Sequence, residues 1–284
     1  MKPFEPLQPL PPSGARADRV SVWRCGQAQP GPDWLAEEVP VALVFNGIAH
    51  AVMLATPADL EDFALGFALT EGLLDDPAEL RGVEVLPVAD GIELRLEVSA
   101  AAEWRLRERR RTLAGRTGCG LCGTETLAQV RLPLPALAPP RLQPAAVTGA
   151  QQALRTHQAL QQLTGATHAA AWCAADGTVR LVREDVGRHN ALDKLLGALW
   201  RSGTPRGDGF VCITSRASFE MVQKCARAGV AALAAVSAPT TLAVDLARGC
   251  GLLLLGFVRG DAMVAYSLAG RLEGQGCGGD DHGR

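Results

Sequence analysis

Two cysteines separated by two residues stand in the string Gly115-Arg116-Thr117-Gly118-Cys119-Gly120-Leu121-Cys122-Gly123. Four chemistries use such a pair. A structural zinc site needs four ligands. No second CxxC or Cys/His pair occurs at suitable spacing, although His168 or His189 could approach in three dimensions. A thioredoxin-like redox site follows a strand and opens a helix, whereas this pair follows an arginine run and sits among glycines. A disulfide across so short a loop is strained and labile, not structural. Nucleophilic sulfur chemistry needs an accessible thiolate that can visit two partners. Arg116 and the preceding Arg105, Arg107, Arg109, Arg110 and Arg111 would stabilise a thiolate, and the glycines would supply mobility. The surroundings favour this last chemistry; the spacing alone leaves metal, redox and sulfur chemistry open.

The other six cysteines read differently. Cys173, Cys212, Cys225 and Cys250 fall in apolar or periodic segments and are expected to be small core residues. Cys277 stands on a polar, glycine-rich end and reads as an incidental thiol; Cys25 carries no distinguishing context. A net charge of -2 gives no general attraction to nucleic acid or to a membrane surface. The most apolar run, residues 251–258, is too short to cross a bilayer. The proline-rich first 18 residues lack the apolar stretch of a signal peptide. A cytoplasmic protein with its thiols reduced is the expectation.

The elements that must hold the pair can be placed from periodicity. Residues 1–18 read as a disordered tail and 19–114 as a smaller α+β domain. In that domain Asn46-Gly47 turns one strand pair, and Thr56-Pro57-Ala58-Asp59 starts a helix with Thr56 as its cap. Leu60, Phe63, Ala64 and Phe67 share one helix face, and segments 83–88 and 91–98 form a second strand pair. Residues 115–145 read as a mobile cysteine loop and proline-rich linker. Residues 146–272 alternate between strands and helices, starting with a helix over 148–163. This predicts an α/β domain with a mixed or mostly parallel sheet and helices on both faces. Residues 273–284 read as a flexible tail. Ligands of such sheets bind beyond the carboxyl ends of the strands. Residues 214–218, 237–241 and 259–261 occupy those ends, and the first two lie at helix N-termini, which favour phosphate. Arg216 and Arg259 are the expected phosphate partners.

The chain resembles the formate dehydrogenase accessory sulfurtransferase family, FdhD. The resemblance is carried by Thr56-Pro57-Ala58-Asp59, Gly66-Phe67, Glu71-Gly72, the string from Gly115 to Gly123, Glu184-Asp185-Val186-Gly187-Arg188-His189-Asn190-Ala191 with Asp193-Lys194, Ser215-Arg216-Ala217-Ser218-Phe219-Glu220 and Ser237-Ala238-Pro239-Thr240. It implies a sulfur carrier that takes persulfide sulfur from a cysteine desulfurase. The sulfur would pass to the molybdenum of a bis(molybdopterin guanine dinucleotide) cofactor before that cofactor enters formate dehydrogenase. It also implies a cytidine-deaminase-like fold and a homodimer. By the resemblance, Cys119 bears the persulfide and Cys122 supports it. The cofactor segment is Phe257, Val258, Arg259, Gly260, Asp261 and Ala262, and the protein itself holds no metal. Zinc-dependent deamination would need an H-x-E or C-x-E element and a P-C-x-x-C element. Gly118 precedes Cys119 and Asn190-Ala191 follows His189, so neither element is present. The Glu184–Asn190 string reads equally as a catalytic cluster or as helix caps around a turn.

Overall fold

A computed structural model describes residues 13–113 and 132–273; for 109–113 it describes the backbone alone. The cysteine pair, Arg116, Cys277 and most of the N-terminal tail therefore lie outside the described residues.

The described chain begins with a two-stranded antiparallel hairpin, β1 (Ala15–Arg24) and β2 (Gln27–Ala36), that pairs with no other strand. The hairpin starts at Ala15, inside the span that composition assigns to a disordered tail. Its turn uses Cys25 and Gly26, both at positive φ. Next come β3 (Val39–Phe45), β4 (Ile48–Ala55), α1 (Leu60–Thr70), β5 (Leu80–Val88), β6 (Gly91–Val98) and α2 (Ala100–Leu113). These four strands form a sheet in the order β4-β3-β6-β5. Asn46 and Gly47, both at positive φ, make the predicted hairpin turn.

The second unit contains α3 (Pro144–Leu154), α4 (Ala159–Thr164), β7 (His168–Ala174), β8 (Val179–Asp185), α5 (Arg188–Arg201), β9 (Gly209–Ile213), α6 (Phe219–Arg227), β10 (Ala232–Ala235), α7 (Thr241–Cys250), β11 (Leu253–Arg259) and β12 (Ala262–Ala265). The sheet order is β12-β11-β10-β9-β7-β8. Strands β9, β10 and β11 are parallel, while β7 runs against both its neighbours and β12 runs against β11. The sheet is thus mixed. Leu192, Leu196, Val222 and Ala247 of α5, α6 and α7 share one core with one sheet face, and Val147 and Leu154 of α3 share a core with the other. The single helix expected over 148–163 is two, starting at Pro144 and interrupted by a 3-10 turn at Arg155–His157.

Helix α1 is buried along its whole length except Glu61, because it lies between the four-stranded sheet and α5. The crossing is close enough to exclude side chains. A Cβ on Gly66 would lie 1.8 Å from the Asp193 carbonyl oxygen, and one on Gly197 would lie 1.9 Å from that of Asp62. This seam joins the two units.

Candidate functional site

The mixed sheet brings the carboxyl ends of β8, β9, β10 and β11 and the amino end of β7 to one edge. Three loops there are laced by backbone hydrogen bonds. The Ala217 N–H donates to the Ala238 carbonyl (3.3 Å), that of Thr240 to Ala217 (3.1 Å), and that of Phe257 to Ser237 (3.2 Å). The Arg259 Nε donates to the Val236 carbonyl at 2.8 Å, which ties its guanidinium over the end of β10 and leaves it exposed. Arg216 is also exposed, in the loop before α6. The loops place both predicted arginines at the strand ends, and Thr240 caps α7 by accepting from the Ala243 N–H at 3.4 Å.

The expected cofactor segment 257–262 has an unusual backbone. Phe257 is non-glycine yet has φ of 51°, at a bulge where β11 slips against β12 between Gly256 and Arg259. The bulge turns the Phe257 ring out to 42% exposure. Beside it Gly256 lets the Tyr266 ring and Pro239 pack against the strand: a Cβ there would lie 2.9 Å from the Tyr266 ring and 3.0 Å from Pro239. An exposed aromatic face beside an arginine can stack on a planar base and pair with a phosphate. Val258 is buried, and the Gly260 carbonyl accepts from Gln152 Nε2 at 2.7 Å, so Asp261 and Ala262 sit on a tethered turn.

Much of the Glu184–Asn190 string holds the two units together. Asp185 is fully buried; it pairs with Lys194 at 2.6 Å and accepts from the N–H groups of Thr56 and Gly187 and from Asn190 Nδ2. Glu184 accepts from the N–H groups of Leu160 and Gln161, both at 2.9 Å, and so caps α4. Thr56 does not cap α1. Its hydroxyl accepts from the Val186 N–H, and its carbonyl accepts from Lys194. The residue at the start of α1 is Asp59, in the left-handed region with no side-chain cap.

A second buried network escaped sequence reasoning. Lys224 Nζ lies 2.6 Å from Glu71 and 3.0 Å from Asp193, and Thr70 donates to Asp193 at 2.7 Å. Burial opposes the Lys224 charge, but Asp193 and Glu71 outweigh it and raise its pKa. Burial also raises the carboxyl of Asp193. The available signal was position: Asp193 and Lys194 fall between Leu192 and Leu195, and Lys224 between Val222 and Cys225, on inward-facing turns.

What remains for chemistry at the strand ends is His168, Arg188, His189 and Glu220. His189 Nε2 lies 2.8 Å from Glu220 Oε2, an ion-pair distance off the line of a good N–H hydrogen bond. His189 holds the Glu220 carboxyl below its usual range. Burial first, then the positive charge of Arg188, pushes the His168 imidazole below 6.5. The unfolded chain therefore binds a proton near pH 6.5 that the folded chain resists. The stability due to this group is present above pH 6.5 and is lost progressively as the pH falls from there through the lower folded value. Glu220 acts in the same direction below pH 4.5. Urea midpoints are expected to fall as the pH drops from neutrality to below 6.5, and His168→Gln should remove most of that early fall. An equal fall in the variant would remove His168 as its source.

A hydrogen bond with Cys173 and then burial raise the thiol of Cys212, burial raises those of Cys225 and Cys250, and Cys173 is also buried, as expected of core cysteines. Among the described residues, no three His, Cys, Asp or Glu side chains gather to hold a metal ion, and no helix is long and apolar enough to cross a membrane.

Comparisons with known proteins cover nearly the whole chain. A model of the FdhD/NarQ family matches residues 36–273, a span that includes Cys119 and Cys122. The sulfur carrier protein FdhD of Variovorax paradoxus is 59% identical over 267 residues, 94% of this chain and 96% of that protein. The sulfur carrier protein FdhD of Cupriavidus necator is 57% identical over 255 residues, 89% of this chain and 88% of that protein. Among solved structures, a Desulfotalea psychrophila protein assigned as a formate dehydrogenase accessory protein has the same fold. The TM-score is 0.71 at 23% identity, over 91% of this chain and 99% of the other.

Proposed function

The chain belongs to the FdhD/NarQ family, and on that premise we propose that it is a cytoplasmic sulfur carrier for formate dehydrogenase maturation. Cys119 accepts the sulfane sulfur of a cysteine desulfurase persulfide. The Cys122 thiolate then attacks the inner sulfur of the Cys119 persulfide, forming a transient Cys119–Cys122 disulfide and releasing the terminal sulfur as hydrosulfide to the molybdenum of the bis(molybdopterin guanine dinucleotide) cofactor, which is the bound acceptor; a cellular thiol reduces the disulfide and resets the pair. Cys122 assists release, and the carrier acts as a homodimer. The observation that carries this reading is the 59% identity to a sulfur carrier protein across nearly the entire chain, with the cysteine pair inside the matched span.

The strand-end geometry supports the acceptor half. Exposed Arg216 and Arg259 sit at strand ends beside the N-termini of α6 and α7, with the exposed Phe257 ring on the adjoining bulge. Cationic groups at helix N-termini suit the pyrophosphate of a guanine dinucleotide, and an exposed ring suits its base. The mixed sheet with helices on both faces supports a cytidine-deaminase-like arrangement for the second unit, used here without deaminase chemistry.

The acceptor half is tested by titrating guanosine diphosphate, which carries the nucleotide end of the cofactor. Each lost charge-assisted phosphate contact weakens binding by roughly tenfold, so Arg259→Ala and Arg216→Ala should each weaken it by about that factor. Phe257→Ala should weaken it by about the same through lost stacking. Wild-type affinity in all three variants would remove the cofactor from this edge of the sheet.

A further inference from the structure

The β1–β2 hairpin is an unusual element for a small domain. A two-stranded ribbon is marginally stable alone in water, and this one joins no other strand of the described chain. Helix α4 contacts its base, while Ser21, Trp23, Arg24 and residues 27–30 near its tip are exposed, Trp23 to 71%.

Its two edges differ. In the register Ala17↔Trp34, Arg19↔Pro32, Ser21↔Pro30, Trp23↔Ala28, each proline must turn its nitrogen away from β1, because a proline cannot donate to the ladder. The outward backbone groups of β2 are therefore those of Ala28, Pro30, Pro32 and Trp34. Two of these have no N–H, and that of Trp34 donates to Asp33 Oδ1 at 2.9 Å. The outer edge of β2 is thus blocked in a way that protects sheet edges. The same alternation turns the backbone groups of Ala17, Arg19, Ser21 and Trp23 outward from β1. Among the described residues only the Arg19 N–H is engaged there, by Asp18 Oδ1 at 2.7 Å, and that local contact must open when the edge pairs. One edge is closed and the other is open.

The open edge is complementary to itself. Let a second β1 pair antiparallel to the first about a two-fold axis through Ser21. Asp18 then faces Arg24 of the other copy, Val20 faces Val22, and Arg19 faces Trp23. Each contact occurs twice, as an isologous interface requires. Directly opposed opposite charges, β-branched pairs and cation–aromatic pairs are the favourable cross-strand combinations. Axes through Asp18, Arg19 or Val20 instead oppose like charges: Asp18 to itself, Arg19 to itself, or Arg16 to Arg24. We propose that β1 pairs with β1 of a second copy of this chain in this register, giving a four-stranded intermolecular sheet. This names the surface of the homodimer proposed above and rests on that reading only for the expectation that a dimer exists.

The test is charge exchange on the full-length chain, read as mass by light scattering over a dilution series. Wild type is expected to be a dimer. Asp18→Arg and Arg24→Asp should each raise the dissociation constant roughly tenfold or more, since each sets like charges opposite one another at two symmetric positions. The double variant Asp18→Arg/Arg24→Asp should restore the wild-type constant, with circular dichroism unchanged throughout. A monomeric wild type, single variants that dimerise normally, or a double variant no better than the singles would each overturn the proposal. Sulfur loading of Cys119 is scored separately, so failure of this interface and failure of the carrier reading are distinguishable.

Discussion

Formate dehydrogenase made in cells whose only sulfur carrier is the Cys119→Ala form of this chain is expected to show no activity above that of cells without a carrier. The physical ground is that the four core cysteines cannot take over. A sulfur acceptor must present a thiolate. Cys173, Cys212, Cys225 and Cys250 are buried. Burial raises the thiols of Cys225 and Cys250 further from neutrality, and a hydrogen bond with Cys173 together with burial raises that of Cys212. Cys25 is exposed at the tip of the β1–β2 hairpin, outside the glycine-flanked cysteine pair, and its Ser variant tests it directly. Cys25→Ser and Cys212→Ala should therefore retain maturation. Measurable maturation by Cys119→Ala would mean that another group carries the sulfur, or that the chain delivers cofactor without sulfur.

The largest effect on folding is expected at the α1–α5 crossing. In Gly66→Ala or Gly197→Ala the new methyl would sit within 2 Å of a backbone oxygen of the other helix, namely 1.8 Å from Asp193 or 1.9 Å from Asp62. Neither oxygen can swing aside as a side chain could, so the helices must separate. Separation loosens every polar group anchored on the seam. Thr70 and Lys224 would lose their geometry to Asp193, and Arg183 and Arg201, which grip Asp62 at 2.7 Å, would lose theirs. Overpacking combined with disturbed buried charges predicts a loss of about 3 kcal/mol or more in urea unfolding. Gly149 provides the contrast. It lies on the exposed side of α3, and a methyl added there would meet nothing within 4 Å. Gly149→Ala should gain about 0.5–1 kcal/mol from helix propensity. Wild-type stability in Gly66→Ala would show that the two units are held differently.

The strands β9, β10 and β11 were legible because continuous apolar runs bounded by glycine and polar turns leave few alternatives. The Asn46-Gly47 hairpin was legible from turn chemistry alone. The β1–β2 hairpin was not, because Pro30, Gly31 and Pro32 read as a breaker. Its structure is intelligible only once those prolines are seen to face outward on an edge. Helix α2 was hidden by its charge: Arg105, Arg107 and Glu108 give it a polar surface, and among its described side chains Ala102 and Leu106 are the ones that reach the core. In sequence the arginine run reads as a setting for a thiolate. Of its members, Arg105 pairs with Glu79 and Asp75, and Arg107 with Glu103.

At the candidate site, the strand-end position of Arg216, Arg259 and residues 259–261 followed from sheet topology, which is a property of the whole fold, whereas the full 257–262 segment came with the family resemblance. The division of labour within the Glu184–Asn190 string did not. A buried Asp and a catalytic Asp look alike in sequence. Only the partners of Asp185, namely Lys194, Asn190 and the Thr56 backbone, show that it joins the two units. The same holds for Lys224, whose cationic type suggests solvent and whose Asp193 and Glu71 partners lie 31 and 153 residues away in sequence.

The most direct test of the carrier reading is the mass of the intact chain after incubation with a cysteine desulfurase and cysteine, followed by peptide mapping. The account predicts the gain of sulfur on Cys119, lost on treatment with a thiol reductant and absent from Cys119→Ala. No added sulfur, or the same addition in Cys119→Ala, would contradict it.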